Sequence, residues 1–217
     1  MPSRSNKILA EIFTKLFDRY GPQHWWPGES PFEVRVGAIL TQNTNWSNVE
    51  RAIENLRQEK ALDLGAMLAI EEGRLAQLIR PAGYFNVKAR RLRAFLQFLQ
   101  ESFSGDIAAM REVATASLRE QLLGIKGIGP ETADSILLYA LHHPIFVVDA
   151  YTYRVMTRHF LIPEESDYHS IQEFITEHIP AQVEHYNEYH ALLVMVGKDF
   201  CKPRPRCETC PLNGVNW

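Results

Sequence analysis

The sequence of 217 residues lacks three features, each of which would indicate a particular class of protein: a long apolar run, a secretion signal and a strong positive charge. It contains no run of about 18 apolar residues, which excludes a helix that spans a membrane. Its first residues lead into an amphipathic segment instead of an unbroken apolar core, unlike a secretion signal. Its formal net charge of −3 gives no general electrostatic reason to expect nucleic acid. These absences leave a cytoplasmic globular protein as the expectation.

Cysteine is scarce as well, and its three positions lie close together near the end of the chain: Cys201, Cys207 and Cys210. Thiols at this spacing in a cytoplasmic protein indicate a metal site rather than disulfide bonds. The alternative is a loop whose thiols stay free, and the spacing alone does not decide between the two.

Strict alternation of apolar and polar residues is also absent, so no β-sheet is predicted. Apolar residues instead recur at helical spacing, in segments that glycine- or proline-containing turns separate. The segments are 8–17, 32–40, 49–56, 85–103, 118–123, 135–141, 155–160, 171–179 and 189–196. One apolar run, 145–148, is too short to decide between a buried strand and the start of a helix. The chain is therefore predicted to be all-α.

Basic residues form two clusters despite the negative net charge. Members of the first are Lys88, Arg90, Arg91 and Arg93, and members of the second are Lys202, Arg204 and Arg206. Acidic residues crowd the segment 164–188 instead. A local basic face can therefore coexist with an acidic remainder. The alternative is that the first cluster merely solvates a helix.

Two glycines around one apolar residue, Gly127-Ile128-Gly129, stand between two helical patterns. Pro130 suits the first position of the second helix, because its φ is restricted and it has no N–H to satisfy. The glycine amides lie beside the positive end of that helix, where they can hold one phosphate without reading sequence. Lys126 adds charge near the same phosphate, and Ile128 is expected to turn inward. A tight turn between helices is the alternative interpretation.

An aspartate, Asp149, follows the apolar run and begins the next helical pattern. Aspartate at this position commonly caps a helix, which predicts a structural role. A carboxylate at a helix N-terminus also stays ionised, so capping is compatible with catalysis. An ionised carboxylate can stabilise an oxocarbenium-like sugar or orient a water molecule during cleavage of a glycosidic bond.

These motifs together resemble the helix-hairpin-helix DNA glycosylases of the endonuclease III superfamily. The matching segments are 38–44, 79–89, 123–133 and 147–149 together with Arg154. Within the superfamily, the sequence looks most like the 3-methyladenine DNA glycosylases of endonuclease III type, because of Trp-Trp-Pro at 25–27 together with Thr-Gln-Asn-Thr at 41–44 and Lys-Gly-Ile-Gly-Pro-Glu at 126–131. The resemblance implies two helical lobes with a DNA-binding cleft between them. Residues 23–134 would form a helical barrel with the hairpin, and 1–22 plus 135–217 the second domain.

The resemblance also implies roles for individual residues. Asp149 is expected to be the catalytic carboxylate. Gln42 is expected to fill the gap left by an extruded base, and Tyr84 to wedge against the orphaned partner base. Lys126, Gly127 and Gly129 are expected to bind DNA through a phosphate.

One departure from the family narrows the expected reaction. Family members that also cut the DNA backbone use a lysine of the hairpin helix as an amine nucleophile. Glu131 stands there instead, 18 positions before Asp149, and a carboxylate cannot form a Schiff base. A monofunctional glycosylase that uses water is therefore expected. A bifunctional pyrimidine glycosylase/lyase and a non-catalytic DNA-binding module are the alternatives.

Tryptophans are the candidate lining of the base pocket. The family geometry places Trp25, Trp26 and Trp46 at its border, with Glu131, although paired tryptophans are also common in protein cores. An indole face attracts a cation by about 0.5–2 kcal/mol in addition to stacking. Because N-alkylated purines carry positive charge, 3-methyladenine is the expected substrate.

The resemblance implies a [4Fe-4S] cluster for the cysteine loop, since the family often carries four cysteines there. Asn216 stands where the fourth is expected, so a bound cluster needs another ligand, and free thiols remain the alternative. His142, His143 and His190 are expected at the surface rather than on a metal. The partner is expected to be double-stranded DNA with a damaged base, bound by a monomer associated with the nucleoid and not with a membrane.

Overall fold

The computed structural model describes residues 2–215, and their regular structure is entirely helical. The α-helices are α1 Arg4–Tyr20, α2 Pro31–Leu40, α3 Trp46–Gln58, α4 Leu64–Ala69, α5 Glu72–Leu78, α6 Phe85–Phe103, α7 Ile107–Arg111, α8 Thr115–Leu123, α9 Pro130–Ser135, α10 Ala150–Arg158, α11 Tyr168–His178 and α12 Val183–Asp199. Short 3₁₀ helices occupy Arg80–Ala82 and Cys207–Thr209, and a π-helix occupies Ile136–Ala140. The all-α prediction is confirmed. Among residues 2–215, no helix has both the length and the apolar character needed to cross a bilayer.

The chain forms two compact units. One, here called the hairpin unit, is Trp26–His143; the other, the aspartate unit, comprises the described parts of Met1–Trp25 and Pro144–Trp217. The predicted domain division at 22/23 and 134/135 stays a prediction. In the structure the segment 135–143 groups with the hairpin unit, because the π-helix continues α9 without a break and packs against α2.

Helix α2 is the buried centre of the hairpin unit. Ser30 caps its N-terminus by accepting a hydrogen bond from the Glu33 amide, and Pro31 occupies the first turn. Every residue from Phe32 to Leu40 is buried, as expected for a helix that is largely apolar on all sides. Helices α3, α6 and α9 and the π-helix pack around it. Even Arg35, in the middle of α2, has no exposed surface.

The aspartate unit consists of α1, α10, α11 and α12, and α12 packs against both α10 and α1. Helix α1 ends at the predicted glycine stop, where Gly21 has a φ of 67° and donates its amide to the Phe17 carbonyl. The buried hydroxyl of Tyr189 on α12 donates to the Leu9 carbonyl at 2.8 Å. These contacts join the first and last helices of the chain in one core.

Candidate active site and nucleic-acid interface

The hairpin has the geometry that its glycines predict. Helix α8 ends at Leu123 and α9 begins at Pro130, and Ile128 turns inward with 4% of its surface exposed. Gly129 is extended and caps α9, and apart from its own residue and its two chain neighbours no described atom lies within 4 Å of a Cβ placed on it. Lys126, Gly127 and Gly129 are all exposed. The start of α9 therefore presents open backbone to solvent, as a phosphate-binding helix N-terminus does.

Gln42 is bound to this hairpin through its side chain. Its Nε2 donates to the Gly127 carbonyl at 3.1 Å and to the Thr132 hydroxyl at 2.8 Å, and its Oε1 accepts from Arg91. Arg91 also lies over Gly127, where a Cβ would come within 2.6 Å of the arginine side chain. Gly127 has a φ of 92°, which favours glycine for a second reason. Three elements thus define the orientation of the Gln42 amide.

Tyr84 is the exposed tip of a tight turn. Its side chain is 72% exposed, and its φ of 46° places it in the left-handed region, directly after Gly83 with a φ of 71°. It stands at the N-cap position of α6. A large aromatic ring held away from the protein in this way is available to contact a DNA base.

The first basic cluster is smaller on the surface than the sequence indicated, which corrects the expected basic face. Lys88 is 1% exposed, and its Nζ donates to the carbonyls of Leu40 at 2.8 Å and Ala82 at 2.7 Å. Burial lowers the pKa of Lys88 to about 8, with a smaller contribution from the charge of Arg91. Arg93 donates to the Ile70 carbonyl at 2.8 Å. Arg90 remains exposed.

Asp149 is held at the start of α10. Its Oδ1 accepts from the Thr152 amide at 2.7 Å, so the predicted cap is confirmed. Its Oδ2 lies 3.6 Å from Nε2 of His190, and 13% of the side chain is exposed. Burial opposes ionisation of Asp149, but the charge of a protonated His190 and the hydrogen bond from the Thr152 amide outweigh it, so the pKa of Asp149 lies below its usual value. The carboxylate is ionised and partly accessible.

The apolar run 145–148 before Asp149 is neither a buried strand nor the start of a helix. Residues 142–149 lack regular structure, although Phe146, Val147 and Val148 are buried. Side chains of α11 satisfy two of the backbone groups: Gln172 donates to the Phe146 carbonyl at 2.6 Å, and the Val148 amide donates to the Tyr168 hydroxyl at 3.3 Å. This extended segment carries the chain directly into the Asp149 cap.

The expectation of surface histidines is wrong at two of three positions. His142 is exposed, whereas His143 and His190 are 7% and 5% exposed. His190 is the functional candidate that the sequence analysis missed. The helical spacing of Tyr186, Tyr189 and His190 on the apolar face of α12 was the available signal, because residues three and four apart share one face.

Two of the three candidate tryptophans lie together. The rings of Trp26 and Trp46 meet edge to face with centroids 5.2 Å apart, and Tyr139 lies 5.2 Å from Trp26. Tyr139 was not predicted for this cluster. Trp25 belongs to the aspartate unit, where Nζ of Lys198 lies 5.4 Å from its ring centroid.

One carboxylate lies against Trp46 of this aromatic cluster. Trp46 donates its indole N–H to Glu50 at 2.8 Å. Both residues line a cavity of about 390 Å³ with Glu29, Glu33 and Arg57, and Arg57 pairs with Glu29 at 3.3 Å and with Glu33 at 3.1 Å. The negative charge of Glu50 beside the indole favours a cation over a neutral ligand at this point.

Glu131 is exposed in the first turn of α9, one residue after Pro130. Lys126 supplies the exposed amine of the hairpin loop. The position that carries a lysine in lyases therefore presents a carboxylate to solvent.

The three cysteines line one cavity of about 240 Å³ with Arg158 and His159. Cys201 is buried and its Sγ accepts from Arg158 at 3.4 Å. Burial raises the pKa of Cys210, and Cys201 and Cys207 raise it further. In the described part of the chain, no three or more His, Cys, Asp or Glu side chains are arranged to hold a metal ion. Asn216, the position expected for a fourth ligand, lies outside the described residues.

The family model for HhH-GPD superfamily base excision DNA repair proteins matches residues 36–181. A protein of Methanocaldococcus jannaschii that is named as a DNA repair glycosylase is 46% identical over 213 residues, which cover 98% of this chain and 97% of the relative. Endonuclease III of Thermotoga maritima is 25% identical, over 94% of this chain and 89% of the relative.

Solved structures agree with these matches. The H. pylori 3-methyladenine DNA glycosylase MagIII bound to 1,N6-ethenoadenine superimposes with a TM-score of 0.76 at 31% identity, over 89% of this chain and 97% of MagIII. A non-covalent endonuclease III–DNA complex superimposes with a TM-score of 0.84 at 20% identity, over 100% of this chain and 96% of that one. At that identity the second match shows the fold alone.

Proposed function

The chain belongs to the HhH-GPD superfamily of base excision DNA repair proteins, and we propose that it is a monofunctional glycosylase for alkylated adenine, 3-methyladenine above all. That it is a DNA N-glycosylase follows from the family. The substrate and the use of water rest on the site. The observation that carries the proposal is the partly exposed Asp149 carboxylate, which accepts from the Thr152 amide and lies 3.6 Å from His190.

Asp149 is the proposed catalytic residue. As the C1′–N bond breaks, positive charge moves from the base onto the sugar, and a fixed anion beside the sugar stabilises the charge there more than it stabilises the ground state. The same carboxylate can orient or deprotonate the attacking water. A positive charge on His190 favours the Asp149 anion and so lowers the pKa of that carboxyl.

Water is the proposed nucleophile because the hairpin helix presents Glu131, which has no amine. Lys88 is no substitute, since its Nζ is buried against two carbonyls. Lys126 is exposed, but its place before the hairpin glycines suits a phosphate contact. We therefore expect an abasic product with an uncut strand.

Alkylated adenine is the proposed base because it is flat and, when its nucleoside is methylated at N3, also cationic. Trp26, Trp46 and Tyr139 supply stacking surface, and Glu50 adds negative charge beside an indole. MagIII, which is 31% identical, was crystallised with 1,N6-ethenoadenine. A cationic base also leaves its sugar easily, so little acid catalysis is needed.

DNA binding is assigned to the hairpin unit. Exposed Lys126, Gly127 and Gly129 are proposed to hold one phosphate, Gln42 to enter the gap left by the flipped base, and Tyr84 to contact the orphaned partner. The protein is proposed to act on chromosomal DNA as a monomer.

A panel of duplexes tests this proposal. Each carries one lesion: 3-methyladenine, ethenoadenine, an oxidised pyrimidine or a mismatched thymine. We expect strand cleavage only after alkali treatment, fastest with 3-methyladenine. Alkali-independent cleavage, or a covalent DNA adduct trapped with borohydride, would contradict the monofunctional mechanism. Faster release of another base would reject the substrate while keeping the glycosylase.

The iron–sulfur cluster has no part in the proposed mechanism. A [4Fe-4S] cluster takes four protein ligands in this family, and the described residues offer the three thiols of Cys201, Cys207 and Cys210. They do not fit the four-cysteine site. Analysis of freshly purified protein for iron and acid-labile sulfide tests this, since stoichiometric iron would require a fourth ligand from another residue.

A further inference from the structure

Two separate loops have to act together if the proposed function holds. Gln42 follows the C-terminal end of α2, and Tyr84 follows the 3₁₀ helix Arg80–Ala82. Both side chains are proposed to enter one duplex around one flipped nucleotide. Their separation therefore has to be set before DNA arrives, since a displacement of about 1 Å can reduce a rate by on the order of 10²-fold.

Lys88 contacts both loops, in each case at the residue two positions before the side chain proposed to enter the duplex. Its Nζ contacts the carbonyl of Leu40 at 2.8 Å and that of Ala82 at 2.7 Å. Leu40 precedes Gln42 by two residues, and Ala82 precedes Tyr84 by two residues. The Leu40 carbonyl lies at the negative end of α2, where a cation is favoured. One buried amine thus joins the bases of both loops.

The Tyr84 turn needs such support. A non-glycine residue in the left-handed region is strained and persists only where its surroundings hold it. The ring of Tyr84 is 72% exposed, so packing of that ring contributes little. Its backbone is held by the start of α6, where the Val87 and Lys88 amides both donate to the Tyr84 carbonyl at 3.0 Å. The Lys88 ammonium holds the preceding carbonyl, that of Ala82.

We propose that Lys88 is a positioning residue that clips the Gln42 loop to the Tyr84 loop and so prepares both for insertion into a duplex. The proposal deepens the function proposed above and rests on it. Lys88 does not contact the reacting base. Its effect is confined to substrates in which a paired base has to be extruded and its place filled, and it is absent from a single strand, which has no such gap.

Hydrogen–deuterium exchange tests the clip without any substrate. In Lys88→Met, amides in 41–44 and 82–87 are expected to exchange faster together, because both loops lose the same anchor. Arg90→Met is the matched control: it removes an exposed cation two residues away on the same helix and leaves both loops unchanged. Wild-type exchange in either loop of Lys88→Met would overturn the proposal.

Excision from duplex and single-stranded substrates of one lesion tests the consequence. Under single-turnover conditions, Lys88→Met is expected to slow duplex excision by on the order of 10²-fold, and single-strand excision by less than about threefold. A merely structural role would slow both equally, and that result would reject positioning.

If Lys88→Met does not fold, a second and milder variant, Lys88→Gln, tests the proposal. Lys88→Gln keeps two N–H donors on a shorter side chain, and an intermediate loss confined to duplex is expected. Equal losses on the two substrates again reject the clip. If the wild-type protein releases no base from any lesion, the proposed function fails, and the exchange experiment still decides whether Lys88 couples the loops.

Discussion

The aspartate unit and the hairpin unit hold their candidate functional groups in opposite ways. Asp149 is 13% exposed and bound on two sides, whereas Tyr84 is 72% exposed and the hairpin glycines face solvent. A carboxylate that has to stay ionised and fixed needs partners, while groups that grip and open a duplex need access. The contrast implies that mutations can separate chemistry from DNA binding.

The largest expected effect comes from Asp149→Asn. The amide lacks the negative charge, so single-turnover excision should fall by on the order of 10²- to 10⁴-fold, while affinity for undamaged duplex stays near that of the wild type.

Asp167→Asn is the matched control, because Asp167 caps α11 by accepting the Ser170 amide at 2.8 Å. Asparagine caps a helix about as well as aspartate, so both variants keep a cap and lose one charge at a helix N-terminus, and Asp167→Asn should keep its activity. If both variants lose activity equally, the loss reflects only the missing charge at a helix end and the division of roles fails.

The two hairpin glycines should respond differently, which sharpens the other side of the comparison. Gly129→Ala has room for its Cβ within the protein, so stability should hold while duplex affinity falls by roughly tenfold, since the methyl group blocks close approach of a phosphate. Gly127→Ala should instead lower the free energy of unfolding by about 1 kcal/mol or more, because of its φ of 92° and its contact with Arg91. Duplex affinity at one fixed salt concentration tests the prediction for Gly129→Ala, and denaturant unfolding tests the prediction for Gly127→Ala. Wild-type affinity in Gly129→Ala would remove the phosphate role.

The interaction free energy between Gln42 and Arg91 in duplex excision should be smaller than the effects above. If Arg91 acts by orienting the Gln42 amide, Arg91→Met and Gln42→Ala should be non-additive in duplex excision by about 1 kcal/mol. The double variant should then be little worse than Gln42→Ala alone. Replacing Arg91→Met by Arg90→Met in the same cycle gives the control, which should be additive. Additivity in both cycles would show that Arg91 acts independently of Gln42.

The smallest expected change is a shift in pH dependence. His190 lowers the pKa of Asp149, so the folded-state stabilisation from the anion is complete above the usual carboxyl pKa of 3.8 and is lost as pH falls through the lower folded value. In His190→Asn the pKa of Asp149 rises, and the acidic limb of the excision profile should move to higher pH.

His185→Asn, on the same helix, is the control for this shift. His185 contacts Phe13 and Tyr189, so its variant should leave the acidic limb in place. If the acidic limb of the pH profile stays in place in His190→Asn, that limb does not reflect the ionisation of Asp149.

Sequence patterns do not predict the burial of two charged side chains, those of Lys88 and Arg35. Lys88 belongs to a basic cluster of the sequence and yet is buried, because its position on α6 does not show that two carbonyls lie within its reach. Arg35 lies in an apolar segment, where no sequence pattern predicts what happens to its charge. It is fully buried, and within the described part of the chain its guanidinium has no hydrogen-bond partner. Burial lowers the pKa of Arg35 to about 10.

The sequence by itself determined the helical class, the glycine stop of α1, the hairpin between α8 and α9 and the Asp149 cap. These follow from interactions among residues close along the chain, which propensity and capping describe. Only the tertiary structure decided that His190 meets Asp149, that Lys88 joins two loops and that Tyr139 joins Trp26. Asp149 and His190, Lys88 and Leu40, and Trp26 and Tyr139 each lie about 40 or more residues apart. The packing of whole helices sets these distances, which no local pattern encodes.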